Sequence, residues 1–215
     1  MRLAQWQQSP YSDFYYYNPW LGRVVHRHLT RAHFELLPEA RRGHMLVAPV
    51  RNPYDRVYSA FLQIQRDQQQ QPGEHYPQPW IRSHVIAQLA ESAAALRTAD
   101  YDVNRWIEGL REEQVLEAGR NTSLPLHPNH YWTHRNGALA VDRLLFVEDF
   151  EVGFDNFAAA LGLQIKQKGT ANASPKMHAA PIGRYRYAGR LSPRSIARIN
   201  ELFARDFELF DYERL

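Results

Sequence analysis

The chain has no cysteine, only three lysines and no glycine before Gly22. Without cysteine there can be no disulfide and no thiolate-held metal, and a cytoplasmic location is the expectation. No apolar run approaches the roughly 20 residues that a membrane-crossing helix needs. That makes a soluble chain the expectation, and the opening "MRLAQWQQSPYSDF", which lacks the basic-then-apolar layout of a secretion signal, agrees with the cytoplasmic one. The three lysines, Lys166, Lys168 and Lys176, all lie in the C-terminal third, against 23 arginines. Arginine suits planar anions such as phosphate because its guanidinium fork bonds two oxygens at once. A GC-rich genome produces the same bias, so the charge, formally +3, selects no ligand by itself.

What is present is a globular balance in a length of 215 residues, enough for one well-packed domain and too little for two. Residues 1–20 are turn-rich and aromatic and read as an irregular lead-in. Residues 20–28 resemble a short helix, and Thr30 is placed to cap another running to Leu37, which Pro38 ends. "HMLVAPV" at 44–50 reads as a short buried strand. In the helix that follows, Asn52 suits the N-cap and Pro53 the first turn, with Val57, Ala60, Phe61 and Ile64 on one face. A polar loop at 68–79 precedes an alanine-rich helix near 80–98, and Asp102 caps a short helix carrying Val103, Trp106, Ile107 and Leu110.

Residues 120–139 read as a long loop with turns at Pro125, Pro128 and Asn136-Gly137. A second buried strand, "RLLFVED", ends in Glu148 and Asp149, and a helix from about Gly153 closes at Gly162. Ser192 and Pro193 open a final helix whose apolar positions are Ile196, Ile199, Phe203, Phe207 and Phe210. Apolar strands alternating with helices predict an α/β fold with a mostly parallel sheet flanked by helices.

The most informative stretch is "VRNPYDRVYSAF" at 50–61. In a parallel sheet, ligands sit beyond the carboxyl ends of the strands, where helix N-termini offer unpaired N–H groups to anions. Arg51 stands at such an end. With the helix starting at Pro53, Ser59 lies nearly two turns in, so that the Arg51 guanidinium and the Ser59 hydroxyl can converge on one phosphate. Arg56, beside Asp55, reads instead as the partner of that carboxylate.

This stretch resembles the 3′-phosphate-binding segment of the sulfotransferases that use 3′-phosphoadenosine 5′-phosphosulfate (PAPS), particularly their carbohydrate and bacterial branch. The resemblance continues in order through "HLTRAHFELLPE" at 28–39, "NGALAVDRLLFVEDFEVGFDNFAAALGL" at 136–163 and "RYRYAGRLSPRSIARINELFARDFELFDYE" at 184–213. It implies a P-loop-like sulfotransferase fold, with the 3′-phosphate on Arg51 and Ser59. Arg184, Arg186 and Tyr187 then form the basic, aromatic wall of the closing loop, and a solvated loop is the competing reading. The implied reaction is metal-free transfer of a sulfuryl group from PAPS to a hydroxyl acceptor, a saccharide or another small molecule.

One family feature has no match here: the first strand and its loop resembling "PKTGGTS", which holds the 5′-phosphosulfate. Three accounts compete. The loop is encoded upstream of Met1, or the chain is a relative that binds nucleotide or a partner without catalysis, or "YSDFYYYNPW" replaces the loop with an arginine such as Arg23. An absent strand also leaves a sheet edge to be covered by those aromatics or by a second copy of the chain.

A hydroxyl acceptor needs a general base within reach. "LHPNHYWTH" at 126–134 resembles the family's substrate-side Pro-Gln segment, and His127 and His130 are its candidates. Backbone-bonded loop histidines are the alternative, and zinc is a weak one because no fourth ligand is evident. Glu148 matches a family acidic position and reads as a structural partner. Nucleic-acid binding is the rival from another class, opposed by the interleaving of the arginines with 23 acidic residues. A non-catalytic interaction protein built on the aromatic N-terminus is the third.

Overall fold

The computed structural model describes residues 15–18, 23–26, 30–36, 43, 45–69, 93–116, 126–163 and 184–215. Tyr15–Asn18 forms β1 and pairs antiparallel with β2, Arg23–His26, Tyr15 standing opposite His26. This corrects two expectations: residues 15–18 are not irregular, and part of the expected helix over 20–28 is a strand. Consecutive tyrosines and the Val24–Val25 pair prefer the pleated backbone, where aromatic and β-branched side chains are least restricted. The rest of the lead-in lies outside the described residues.

Helix α1, Arg31–Phe34, starts after Thr30, whose carbonyl accepts from the Phe34 amide at 2.9 Å. The helix ends at Phe34, with Glu35 and Leu36 in a turn, short of the expected Leu37; Leu37 and Pro38 themselves lie outside the described residues. Strand β3, Val47–Val50, leads through Arg51 and Asn52 into α2, Pro53–Gln69. The predicted face of α2 is the observed one: Val57, Ala60, Phe61 and Ile64 are all buried. Removing each of the three larger side chains from water contributes about 1.5–3 kcal/mol. The helix also runs two residues into the expected polar loop, of which 70–79 lie outside the described residues.

Of the alanine-rich helix, 93–98 is described and helical (α3). Asp102 caps α4, Val103–Glu108, its carboxylate accepting from the Arg105 amide at 2.8 Å, and α5 spans Glu112–Leu116. Where a loop is expected, residues 130–139 fold into a helical turn, α6 (His130–Thr133), and a hairpin of β4 (His134–Arg135) and β5 (Ala138–Leu139). Pro125 is outside the described residues, but the Asn136-Gly137 turn is there, with φ of 50° and 81°. Two successive positive φ values make the turn that matches strand twist, which Asn and Gly tolerate best.

Strand β6, Arg143–Phe146, pairs parallel with β3, Val47 opposite Arg143 and Val50 opposite Phe146. The expected Glu148-Asp149 strand end is instead a single 3₁₀ turn, Val147–Asp149, and α7, Phe150–Ala160, begins three residues before Gly153. Gly162, at φ 65°, ends it. Ser192 caps α8, Pro193–Leu202, by accepting from the Ser195 amide at 3.0 Å. The final helix is broken at the buried Phe203, and α9 continues over Ala204–Leu209.

The architecture is therefore α/β, a parallel pair of strands flanked by helices. The packed core joins the inner face of α2 to Trp106, Ile107, Ile199, Phe203 and Phe207. No helix among the described residues is long and apolar enough to cross a membrane.

Candidate active site

The link between β3 and α2 is held from three directions. The Asn52 side chain accepts from the Asp55 amide at 2.8 Å, as an N-cap should. Glu148, just past β6, takes both the Asn52 backbone N–H and its side-chain amide on one oxygen, each at 2.7 Å. Its other oxygen accepts from the Tyr212 hydroxyl at 3.2 Å. Burial first, then the Glu148 carboxylate, raises the Tyr212 pKa, so the phenol stays protonated and donates. From the third side, Asn129 donates through its side-chain amide to the Arg51 carbonyl at 2.7 Å. Glu148 is thus a structural partner, tying the end of one parallel strand to the helix that follows the other.

Asp55 joins this link to the C-terminal segment. One carboxylate oxygen accepts from the Tyr187 amide at 2.7 Å, and the other from the Arg186 amide at 2.9 Å and the Asn52 side chain at 3.0 Å. Tyr187 is wholly buried and stacks on Tyr58 of α2, centroids 4.7 Å apart and planes 9° from parallel. Over the Tyr187 ring lie two guanidinium groups, that of Arg51 at 5.7 Å and that of Arg186 at 5.3 Å from its centre. Neither has an ion-pair partner among the described residues. Ser59, half-buried, follows Tyr58 in the helix, and its hydroxyl has no hydrogen bond among the described residues.

The residues expected to form the closing wall therefore divide. Arg186 and Tyr187 join Arg51, with Tyr187 the floor beneath the cations and not a surface ring. Arg184 faces the chain end, donating to the Asp211 carbonyl at 3.1 Å and lying over Tyr212 at 5.3 Å.

Arg56 does not pair with Asp55. Its Nε and Nη2 donate to the His127 carbonyl at 2.9 and 2.5 Å, its Nη1 donates to the Asn129 side chain at 3.1 Å, and it lies over Trp132. Burial pulls its pKa down to about 10, and Asp206 opposes that fall, so the guanidinium is charged at neutral pH. Asp55 is occupied by backbone amides; the arginine instead organises the histidine loop.

That loop separates the two candidate histidines. His127 is completely buried, its Nδ1 3.0 Å from the Val115 carbonyl, which can only accept. Its Nε2 is sealed from solvent without a hydrogen-bond partner among the described residues, and burial, with Arg56 nearby, lowers its pKa. His130 keeps 21% of its side chain exposed and places Nδ1 2.7 Å from Asp206, which is fully buried. Asp206 also accepts from the amides of Asn129 at 2.6 Å and His130 at 3.1 Å. Among the described residues no group of three or more His, Asp or Glu is placed to hold a metal.

Asp55, Asn129 and Asp206 are the site residues that sequence reasoning misses. For Asp206 a signal exists: it shares a helical face with Phe203, Phe207 and Phe210, where a carboxylate is out of place unless something pairs with it.

A sequence model described as the sulfotransferase family matches residues 22–213. No curated protein and no solved structure matches the chain.

Proposed function

Because the chain belongs to the sulfotransferase family, we propose that it transfers a sulfuryl group from PAPS to a hydroxyl of a saccharide. The observation that carries the donor is the pair of guanidinium groups, Arg51 and Arg186, gathered over one buried ring with no carboxylate paired to either among the described residues. Like charges placed together favour an anion between them, and two planar forks with the Ser59 hydroxyl suit a phosphate dianion. The 3′-phosphate of the donor fits these residues. When bound, the donor supplies the sulfuryl group, whose bond to the 5′-phosphate oxygen breaks as the acceptor oxygen bonds to sulfur, the electron pair remaining on the phosphate.

The acceptor's proton goes to His130, the candidate histidine whose side chain is partly exposed. His127 is sealed, and its role is to anchor Val115 and, through its carbonyl, Arg56. The saccharide acceptor rests on the resemblance to the carbohydrate branch, and the half-buried rings of Tyr131 and Trp132 beside the histidines suit stacking on a sugar face. Nucleic-acid binding loses further ground, because Arg31, Arg111, Arg135, Arg198 and Arg205 are all paired with glutamates.

The test is calorimetric titration with adenosine 3′,5′-bisphosphate, followed by transfer of label from PAPS to a panel of oligosaccharides. Binding with transfer is the expected result. Binding without transfer to any hydroxyl compound favours a non-catalytic nucleotide-binding relative, and no binding removes the donor assignment.

A further inference from the structure

His130 and Asp206 are 76 residues apart and meet in the fold at 2.7 Å. The carboxylate is completely shielded from water, which is costly unless its lone pairs are taken up. Two backbone amides do so, those of Asn129 and His130, and the ring Nδ1 of His130 makes a third contact. The two amides alone would make Asp206 a backbone anchor. The third contact does something an anchor does not need, because it fixes a side chain that reaches the surface.

An ionised carboxylate only accepts, so the nitrogen facing it carries the hydrogen. In the neutral imidazole the lone pair then belongs to Nε2. That nitrogen has no hydrogen bond among the described residues, and the His130 side chain keeps 21% of its surface exposed where His127 is wholly buried. The ring is also held edge-on by Tyr131, centroids 4.9 Å apart and planes at 86°. The Asp206 contact and the Tyr131 ring therefore both act on this imidazole before any acceptor arrives.

We propose that Asp206 is a positioning residue for the transfer reaction: it holds His130 in the Nδ1–H tautomer and presents Nε2 to the acceptor hydroxyl. This rests on the assignment of His130 as the base. In the step, the hydroxyl proton moves to Nε2 as the acceptor oxygen bonds to sulfur, and the ring becomes an imidazolium facing the buried carboxylate. The leaving nucleotide keeps the electron pair of the broken S–O bond.

The test is long-range ¹H–¹⁵N spectroscopy of the full chain labelled at its histidine rings, recorded at a pH where His130 is neutral and assigned with a His130→Gln variant. The expected spectrum of the unmutated chain has a protonated Nδ1 and a bare Nε2 at His130. A proton on Nε2, or an unbiased mixture, overturns the proposal without any variant of Asp206. In Asp206→Asn, which offers an amide and a single acceptor oxygen, the tautomer bias should disappear. The turnover number should then fall by roughly a hundredfold or more, with KM for the acceptor and nucleotide affinity held. Unchanged turnover in a folded Asp206→Asn protein also overturns it. His130→Gln separates the two levels: if it keeps full transfer, the base assignment fails and the positioning role with it. If it abolishes transfer while the unmutated ring carries its proton on Nε2, only the inference about Asp206 fails.

Discussion

The carboxylate of Asp55, in the first turn of α2, accepts the backbone N–H groups of Tyr187 at 2.7 Å and Arg186 at 2.9 Å, 132 and 131 positions along the chain. Through these two bonds the C-terminal segment is laid against α2, and Arg186 is brought to the same ring as Arg51. The arginine pair is a consequence of this clamp.

Asp55→Ala should therefore affect both stability and binding. Each buried N–H left without an acceptor costs about 1–3 kcal/mol, and the variant should lose stability on that scale in urea denaturation. Its affinity for adenosine 3′,5′-bisphosphate should fall as well, even though Asp55 itself would repel the ligand. Affinity equal to that of the parent would show that the clamp does not position Arg186.

Arg51→Ala should abolish or greatly weaken nucleotide binding, by roughly thirtyfold or more. The fold should lose only about 1 kcal/mol or less, the scale of one cation–π contact. Arg184→Ala is the contrasting variant, since Arg184 is engaged with Asp211 and Tyr212. Calorimetry should find its affinity unchanged; a large loss there would move the phosphate site toward the chain end.

Glu148→Ala removes the acceptor for two Asn52 donors and for the Tyr212 hydroxyl. Stability should fall by about 2–4 kcal/mol, and the link carrying Arg51 should loosen. Amide hydrogen exchange in residues 51–55 would report it, with faster exchange expected. Unchanged protection there would mean that the N-cap alone holds the link.

The buried His127 gives stability a dependence on pH. Burial, and secondarily Arg56, lowers its pKa in the fold below the ordinary value of about 6.5. The unfolded chain therefore binds the proton that the native state refuses, so stability is full above about pH 6.5 and declines as pH falls from there toward the native pKa. His134, lowered first by burial, adds a dependence of the same sign. Denaturation midpoints measured between pH 7.5 and pH 5 should drop, and His127→Gln should flatten the slope. An unchanged slope would assign the whole effect to other groups.

The arginine link was open to inspection along the chain because every cue for it is local. Asn52 and Pro53 are start signals, Val57, Ala60, Phe61 and Ile64 repeat at helical spacing, and Arg51 precedes them at the end of an apolar run. The caps at Asp102 and Ser192 are legible for the same reason. Strands β1 and β2 are not, since four residues carry too little periodicity to choose between helix and strand before their partner is known. Residues 130–139 are misread as loop because Pro128 and Asn136-Gly137 are strong breakers that mask the short elements between them.

Residue order alone was sufficient for the α/β pattern, the helix starts at Pro53, Val103 and Pro193 and the Arg51 to Ser59 spacing, because each depends on neighbours within a few positions. The fold alone settled which arginines share the Tyr187 ring, which histidine reaches the surface, and that Asp55 and Asp206 hold these groups. Those outcomes depend on contacts across 70 to 130 positions, where burial and hydrogen-bond satisfaction, and not local preference, select the partner.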